Sequence, residues 1–507
     1  MPVLIAGVLE ILDWIKSVAP DAALTADSRR ITPGDVFIAY PGDEIDGRAY
    51  IADAIERGAH AVVYEGVDGK WREEWNVPHL AVDNLKTEVG QLAAAYYEMP
   101  DSAMFTVAVT GTNGKTSCTQ WLGSALSRLQ QPTAVIGTLG VGLFRNGVSG
   151  TFDSTGYTTP DAVLLQSTLA HLRDEGATAV AIEASSIGLD QGRMSGMHID
   201  VALFTNFTHD HLDYHGDMQA YEQAKSILFD WPDLRHAVIN LDDAMGVRLV
   251  ERIKRLQPNT TITTYSLCGK QVEGAVSLRA SEIQSTQSGT VCQLISSFGQ
   301  AQIKLQLIGN FNVSNVLGIA GVLLAKGLAW AEVVAAIENL VSVAGRMQQL
   351  GGHDAPLVVI DYAHTPDALE KALQVLRQIA NDRGGELWCI FGCGGERDSA
   401  KRPYMAKAAA SADYVVVTND NPRDEDPAVI IAQIVAGFTA GDNEPFVIED
   451  RAAAILWACQ RAAKQDVILL AGKGHEEFQE IKGRKRPFLD ADHAALALST
   501  RVMKGVS

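Results

Sequence analysis

Cysteine is scarce in this 507-residue chain: six in all, at positions 118, 268, 292, 389, 393 and 459, with no C-x-x-C pair. That argues against a disulfide framework and suits a reducing compartment. Cys389 and Cys393 flank a glycine-rich turn, where buried apolar thiols are expected rather than metal ligands. Positive charge is also short. Forty-two Lys and Arg against 61 Asp and Glu leave a formal net charge of −19. Long nucleic acid, which is gripped by clustered cations, is therefore not an expected partner. A small anionic substrate stays possible, because a local site can be basic inside an acidic protein. Long apolar runs are missing too. The most apolar window, residues 313–328, is broken by Asn315 and Lys326 and reads as a buried helix, so no membrane insertion is expected. Residues 1–20 carry Glu10, Asp13 and Lys16 without a basic stretch before an apolar one, so no signal peptide is expected and the location is expected to be cytoplasmic. Neither a repeat nor a low-complexity tract is visible.

Apolar residues make up 47% and charged residues 20%, the profile of a folded globular chain. This length predicts two to four domains of about 100–200 residues each. Short strands near residues 36–39 and 61–64 mark a first α/β unit, closed by Pro100, Asp101 and Ser102. Continuous apolar runs at residues 104–110, 134–137, 179–183, 201–205 and 237–240 alternate with helix-length segments, as parallel strands buried on both faces do. Between about 260 and 308, short alternating segments (262–265, 291–295, 303–307) read as appended antiparallel strands. Helices are expected from 312 to about 340. Near Gly345 and Arg346 a third α/β unit starts, with strands at 357–360, 387–391, 414–418 and 467–471. The fold class is α/β in three domains: 1–101, 102–344 and 345–507.

Residues 110–116 read Thr-Gly-Thr-Asn-Gly-Lys-Thr between a strand and a helix-like run at 117–129. A glycine-rich turn there aims backbone N–H groups and a helix N-terminus at one point, which suits phosphate. Lys115 adds a charge for the outer phosphates, and the Thr116 hydroxyl is placed for Mg²⁺. The usual G-x-x-x-x-G-K-[ST] pattern is not met, because Val109 stands where its first glycine belongs.

Ligands of parallel sheets sit beyond the carboxyl ends of the strands. One strand ends in Glu183, Ala184, Ser185 and Ser186; the next ends in Asn206, followed by His209, His211, Asp213 and His215. Glu183 and His211 are candidates for a Mg²⁺ beside the phosphate loop. A zinc site built from His209, His211, Asp213 and His215 is disfavoured, since a loop past a strand does not keep strict alternation. His475-Glu-Glu-Phe-Gln479 falls short of H-E-x-x-H by its last ligand. Gly392, Gly394 and Gly395 give no dinucleotide fingerprint, and a left-handed turn is the expected reason for them. The third unit has polar strand ends at Asp361 to His364, at Arg397 and at Asp420 to Arg423. Two arginine forks for carboxylates with acidic groups for an amine suit a zwitterionic amino acid.

These motifs together resemble the Mur ligases, the ATP-dependent amide-forming enzymes of peptidoglycan assembly. The resemblance runs over the whole chain and is carried by residues 110–116, 183–186, 206–216, 221–225 (Tyr-Glu-Gln-Ala-Lys), 309–312 (Gly-Asn-Phe-Asn), 345–346 and 361–366. The compact phosphate loop is this family's form. The segment 420–423 (Asp-Asn-Pro-Arg) is similar to that of members adding meso-diaminopimelate to UDP-MurNAc-L-Ala-D-Glu. Lysine-adding members differ there. The resemblance implies a monomer with ATP and Mg²⁺. It implies ATP contacts at Gly111, Thr112, Asn113, Gly114, Lys115, Thr116, Ser117, Asn310, Arg346, Asp361 and His364. For the UDP-peptide it points to Ala26, Ser28, Thr158, Thr159, Ser185, Gln191 and Arg193. For diaminopimelate it points to Arg397, Asp420, Asn421, Pro422, Arg423, Gly472 and Glu476. Lys115, Glu183, His211 and Lys225 are the implied catalytic group, with Mg²⁺ held by Thr116, Glu183, His211 and a carbamylated Lys225. Domain closure about residues 345–346 is expected. Two departures stand out: Ile187 where relatives often have His, and Tyr157 where many have Asn. A folylpolyglutamate synthetase is opposed by the first unit with Asp27, Ser28 and Arg29, and by the segment 420–423. A switch-type NTPase is opposed by the absence of a guanine signature.

Overall fold

Alternate residues of the strands point into two different cores, which is why these segments are apolar at nearly every position. The computed structural model describes residues 6–42, 45–286, 289–441 and 443–504. Its first sheet has four parallel strands in the order β1 (Leu24–Thr25), β2 (Val36–Ala39), β3 (Ala61–Glu65), β4 (His79–Val82). Val36, Ile38, Ala61 and Val63 face helices Ala6–Val18 and Leu85–Tyr96, while Phe37, Ala39, Val62 and Tyr64 face Ile51, Trp71 and Trp75.

The second sheet contains β5 (Phe105–Thr110), β6 (Thr133–Gly137), β7 (Gly140–Arg145), β8 (Val148–Ser149), β9 (Ala179–Glu183), β10 (Val201–Phe204), β11 (His236–Asn240) and β12 (Thr261–Ser266). They lie in the order β12-β11-β10-β5-β9-β6-β7-β8. From β12 to β6 all neighbours are parallel, and β6, β7 and β8 form an antiparallel edge. The strand expected at 262–265 as antiparallel is β12, and it runs parallel to β11. Helix Ala244–Leu256 joins the two, and a helical crossover returns the chain in the same direction. β13 (Val276–Thr286), β14 (Gly289–Ser296) and β15 (Gly299–Leu305) follow one another after two residues each, a spacing that only antiparallel neighbours allow. Helices Asn310–Ala325 and Trp330–Glu338 come next.

The chain divides into two compact units. One comprises Met1–Arg279, Ile295–Gly299 and Ser314–Ile337; the other comprises Ala280–Leu294, Gln300–Val313 and Glu338–Ser507. The second unit holds β16 (Gln348–Gly351), β17 (Leu357–Asp361), β18 (Leu387–Phe391), β19 (Tyr414–Val417), β20 (Phe446–Val447) and β21 (Val467–Ala471), in the order β16-β17-β21-β18-β19-β20. All neighbours are parallel except β16 with β17. A hairpin, β22 (Phe478–Ile481) and β23 (Arg484–Pro487), follows. Five of the six cysteines are buried, Cys268 being exposed. Burial pushes the Cys389 and Cys393 thiols up to about 12, as expected of inert core thiols. Among the described residues, no helix is long and apolar enough to cross a membrane.

Candidate active site

β5 lies between β9 and β10, so the loop leaving it sits between the carboxyl ends of both. Gly111 has φ 147° and a Cβ there would run into Thr205 Oγ1 and the Asn206 backbone, so only glycine fits. The loop is fastened to the end of β10. Asn206 Oδ1 accepts the Asn113 N–H at 2.9 Å and its Nδ2 donates to Asn113 O at 3.0 Å. Thr205 Oγ1 donates to Asn113 O at 2.6 Å, and Thr112 N–H to Asn206 O at 2.8 Å. These ties replace the longer glycine arch of the common pattern. Gly114, left-handed at φ 89°, begins helix Lys115–Arg128 without a side-chain cap, so the positive end of the helix dipole lies at this loop. Lys115 Nζ donates to Gly111 O at 2.8 Å and Thr112 O at 3.0 Å.

Glu183 is buried at the end of β9. Its two oxygens accept the Thr138 N–H at 2.9 Å and the Thr138 hydroxyl at 3.1 Å. Gly137 makes this possible, since a Cβ there would overlap the Glu183 carboxylate. Lys225 reaches the same region from helix Met218–Ser226. Its Nζ is buried, donates to Gly111 O at 3.0 Å and lies 4.5 Å from the Tyr221 ring centre. Burial, and then the charge of Lys115, hold its pKa well below the ordinary lysine value. His211 has φ 52° at the start of a short helix, 3.5 Å from Asp210 and edge-on to Tyr221. Desolvation, with Lys115 and Lys225 nearby, lowers its pKa, which favours the neutral imidazole. Of its neighbours, His209 and Asp213 are exposed, while His215 bonds Ser186 Oγ at 2.9 Å and packs on Tyr221. The four do not converge on a closed metal site, and no such cluster of three exists among the described residues.

Most residues implied for the UDP-peptide gather beside Glu183. Thr158 and Thr138 hydroxyls are 3.1 Å apart. Thr159 Oγ1 donates to Glu183 O at 2.7 Å and lies 2.9 Å from Ser185 Oγ. Arg193 donates to Gln191 Oε1 at 2.8 Å and Thr159 O at 2.9 Å, with its guanidinium 5.1 Å over the Tyr157 ring. Ala26 and Ser28 belong to the turn after β1, and Arg29 of that turn reaches Tyr157. Tyr157 was visible in the sequence only as a departure; its two arginine contacts needed the fold.

In the second unit, Asp361 is held by the Met347 N–H at 2.8 Å, and burial raises its pKa against the pull of Arg346. Arg346 lies 4.7 Å over the Tyr362 ring, and His364 bonds Tyr362 O at 2.9 Å. Asn310 is exposed at the start of its helix. Arg423 has φ 52°, donates to Gly395 O at 2.7 Å, and lies 3.6 Å from Glu480. Arg397 and Arg423 flank Gly394, whose Cβ would meet Arg423 Nη1 at 3.0 Å and Arg397 Cγ at 3.7 Å. None of Gly392, Gly394 and Gly395 has a positive φ, contrary to the left-handed turn expected. They are small for space: side chains at 392 and 395 would strike Thr418 O and Pro422 O. Gly472 (φ 106°) makes room for Asp420 Oδ2, and Asn421 Nδ2 donates to Glu476 Oε2 at 2.7 Å. Lys473, which no motif in the chain marks, is fully buried among these groups.

Comparison with known proteins supplies the family. Residues 22–97 match the model described as Mur ligase family, catalytic domain. Residues 109–323 match the Mur ligase middle domain, and residues 345–474 the Mur ligase, glutamate ligase domain. The UDP-N-acetylmuramoyl-L-alanyl-D-glutamate–2,6-diaminopimelate ligase of Janthinobacterium sp. (strain Marseille) is 69% identical over 98% of both chains. The ligase of the same name from Ralstonia nicotianae is 48% identical over 98% of this chain and 97% of its own. A solved structure bearing that name superposes with a TM-score of 0.67 at 33% identity, covering 96% of this chain and 99% of the other. A glycine-rich loop tied to β10, a glutamate framed by Gly137 and three matched domains lead to one conclusion: the chain belongs to the Mur ligase family.

Proposed function

We propose that this chain joins meso-2,6-diaminopimelate to the D-glutamate of UDP-MurNAc-L-Ala-D-Glu, converting ATP to ADP and phosphate, in cytoplasmic peptidoglycan precursor synthesis. The observation that carries this reading is the 69% identity over 98% of both chains to a ligase of that name. The residues sort into three tasks: 1–101 for the UDP-sugar, 102–344 for ATP and 345–507 for the amino acid.

A carboxylate does not expel oxide, so its oxygen must first become a leaving group. The ATP γ-phosphate passes to the γ-carboxylate of glutamate, giving an acyl phosphate. The neutral amine then attacks the carbonyl carbon, its nitrogen releases a proton, and phosphate departs with the C–O electron pair. Two anions meet in the first step, so charge neutralisation and positioning are the protein's main contributions. The N–H groups from Gly114 to Ser117 at the helix start and the Lys115 ammonium receive the phosphates. Thr158, Thr159, Ser185, Gln191 and Arg193 orient the UDP-peptide.

The donor set fits Mg²⁺. Glu183 supplies carboxylate oxygens, Thr116 a hydroxyl and His211 a neutral imidazole. Lys225, as an amine, is a poor ligand. In its neutral form, which burial favours, its Nζ lone pair forms an N–C bond with CO₂ and releases a proton, giving a carbamate with two oxygen donors. These groups would hold Mg²⁺, whose charge would screen the approaching anions.

Phosphate release from the full-length chain tests the reading. It should require the UDP-peptide and diaminopimelate together, with lysine a poor substitute. Release with nucleotide alone would mark a simple NTPase, and equal turnover with lysine would remove the specificity.

A further inference from the structure

Lys473 has no part in the chemistry above. It follows β21 between Gly472 and Gly474 and is 0% exposed. Its ammonium donates to Glu476 Oε2 at 2.8 Å, Asn421 Oδ1 at 3.1 Å and Phe478 O at 2.7 Å. Asn421 completes the knot: its Nδ2 donates to the same Glu476 oxygen at 2.7 Å, and its Oδ1 also accepts the Glu480 N–H at 3.0 Å. One oxygen of Glu476 is thus fixed by two donors. The other has no partner among the described residues.

Asp420 lies in the same neighbourhood: burial raises its pKa, Lys473 and Arg451 pull it down, and Glu476 and Asp490 push it up. Arg451 is already paired with buried Asp490 at 2.8 and 2.6 Å, and Arg423 sits beside Glu480, so Lys473 is the cation bonded to the Glu476 carboxylate.

We propose that Lys473 is a positioning residue that fixes Glu476 and Asn421 in one orientation and leaves the second Glu476 oxygen for a ligand ammonium. Diaminopimelate carries two amines. The one that attacks must be neutral, so the ammonium that meets Glu476 is the other. This rests on the reading that residues 420–423 and Glu476 hold the amino acid.

Steady-state phosphate release with the full-length enzyme tests it. Lys473→Met should raise KM for diaminopimelate by about 10- to 100-fold, leaving KM for ATP and the UDP-peptide unchanged. In a Glu476→Gln background the same substitution should add less than about threefold, because Lys473 acts through Glu476. Lys473→Gln, which keeps donors without the charge, serves if the methionine variant does not fold. A joint rise of all three KM values, multiplying effects in the double variant, or unfolding of both Lys473 variants would overturn the proposal in favour of a purely structural role. No diaminopimelate-dependent release from the unmodified enzyme would instead overturn the assigned function.

Discussion

Replacing Lys225 with methionine keeps most of the side chain's volume and removes its amine. Nζ is buried against one carbonyl and the face of Tyr221, and no carboxylate pairs with it among the described residues. Its folded pKa lies well below 10.5, the value expected for it in the unfolded chain. Between the two values the unfolded state binds the extra proton, so stability rises with pH by about 1.4 kcal/mol per unit until about pH 10.5. At about 2–4 °C per kcal/mol for a large domain, Tm of the unmodified protein should gain about 3–6 °C per pH unit over Lys225→Met. Thermal unfolding of both proteins, followed from about pH 7 to 9 in CO₂-free buffer, measures that slope. Adding bicarbonate should then stabilise the unmodified protein alone, by mass action on the neutral amine. Phosphate release by Lys225→Met should fall about 100-fold or more, with partial rescue by short-chain carboxylic acids. Parallel Tm curves would mean that Lys225 stays charged, and undiminished turnover would mean that it holds nothing. Either result refutes the reasoning.

Two further substitutions probe the surroundings. Gly137→Ala drives a methyl group into the Glu183 carboxylate; turnover should drop about 100-fold through misplacement of that group, with the far-UV circular dichroism of the parent, and full activity would show that Glu183 can move freely. Asp101 is buried, and burial raises its pKa to about 6 from 3.8. The folded state therefore holds the extra proton in that window, and stability falls as pH rises through it. Asp101→Asn keeps an acceptor for the His198 N–H and should add about 2–3 kcal/mol near neutral pH, fading toward pH 4; urea unfolding at both pH values checks it, and an equal effect at both would refute the burial argument.

The local chemistry was legible in the chain itself. The glycines and lysine of 110–116, the acid ending β9 and the parallel strands all follow from patterns a few residues long, because backbone geometry and strand burial act locally. The turn at 392–395 shows where that reading stops. Its glycines looked like a left-handed turn, yet they are small because carbonyls of residues 418 and 422 pass against them. β12 gave the same lesson, since orientation is set by the helix that precedes it and not by its own alternation.

Sequence alone thus determined the three α/β units, the glycine-rich loop after β5 and the family motifs, all of which depend on neighbours in the chain. Only the tertiary structure decided what Lys225 and Lys473 are. One is a buried amine with no carboxylate paired to it among the described residues, so desolvation lowers its pKa; the other is buried with its amine bonded to the Glu476 carboxylate. Both are lysines, and burial together with the nearest carboxylate, set by residues distant in sequence, separates them.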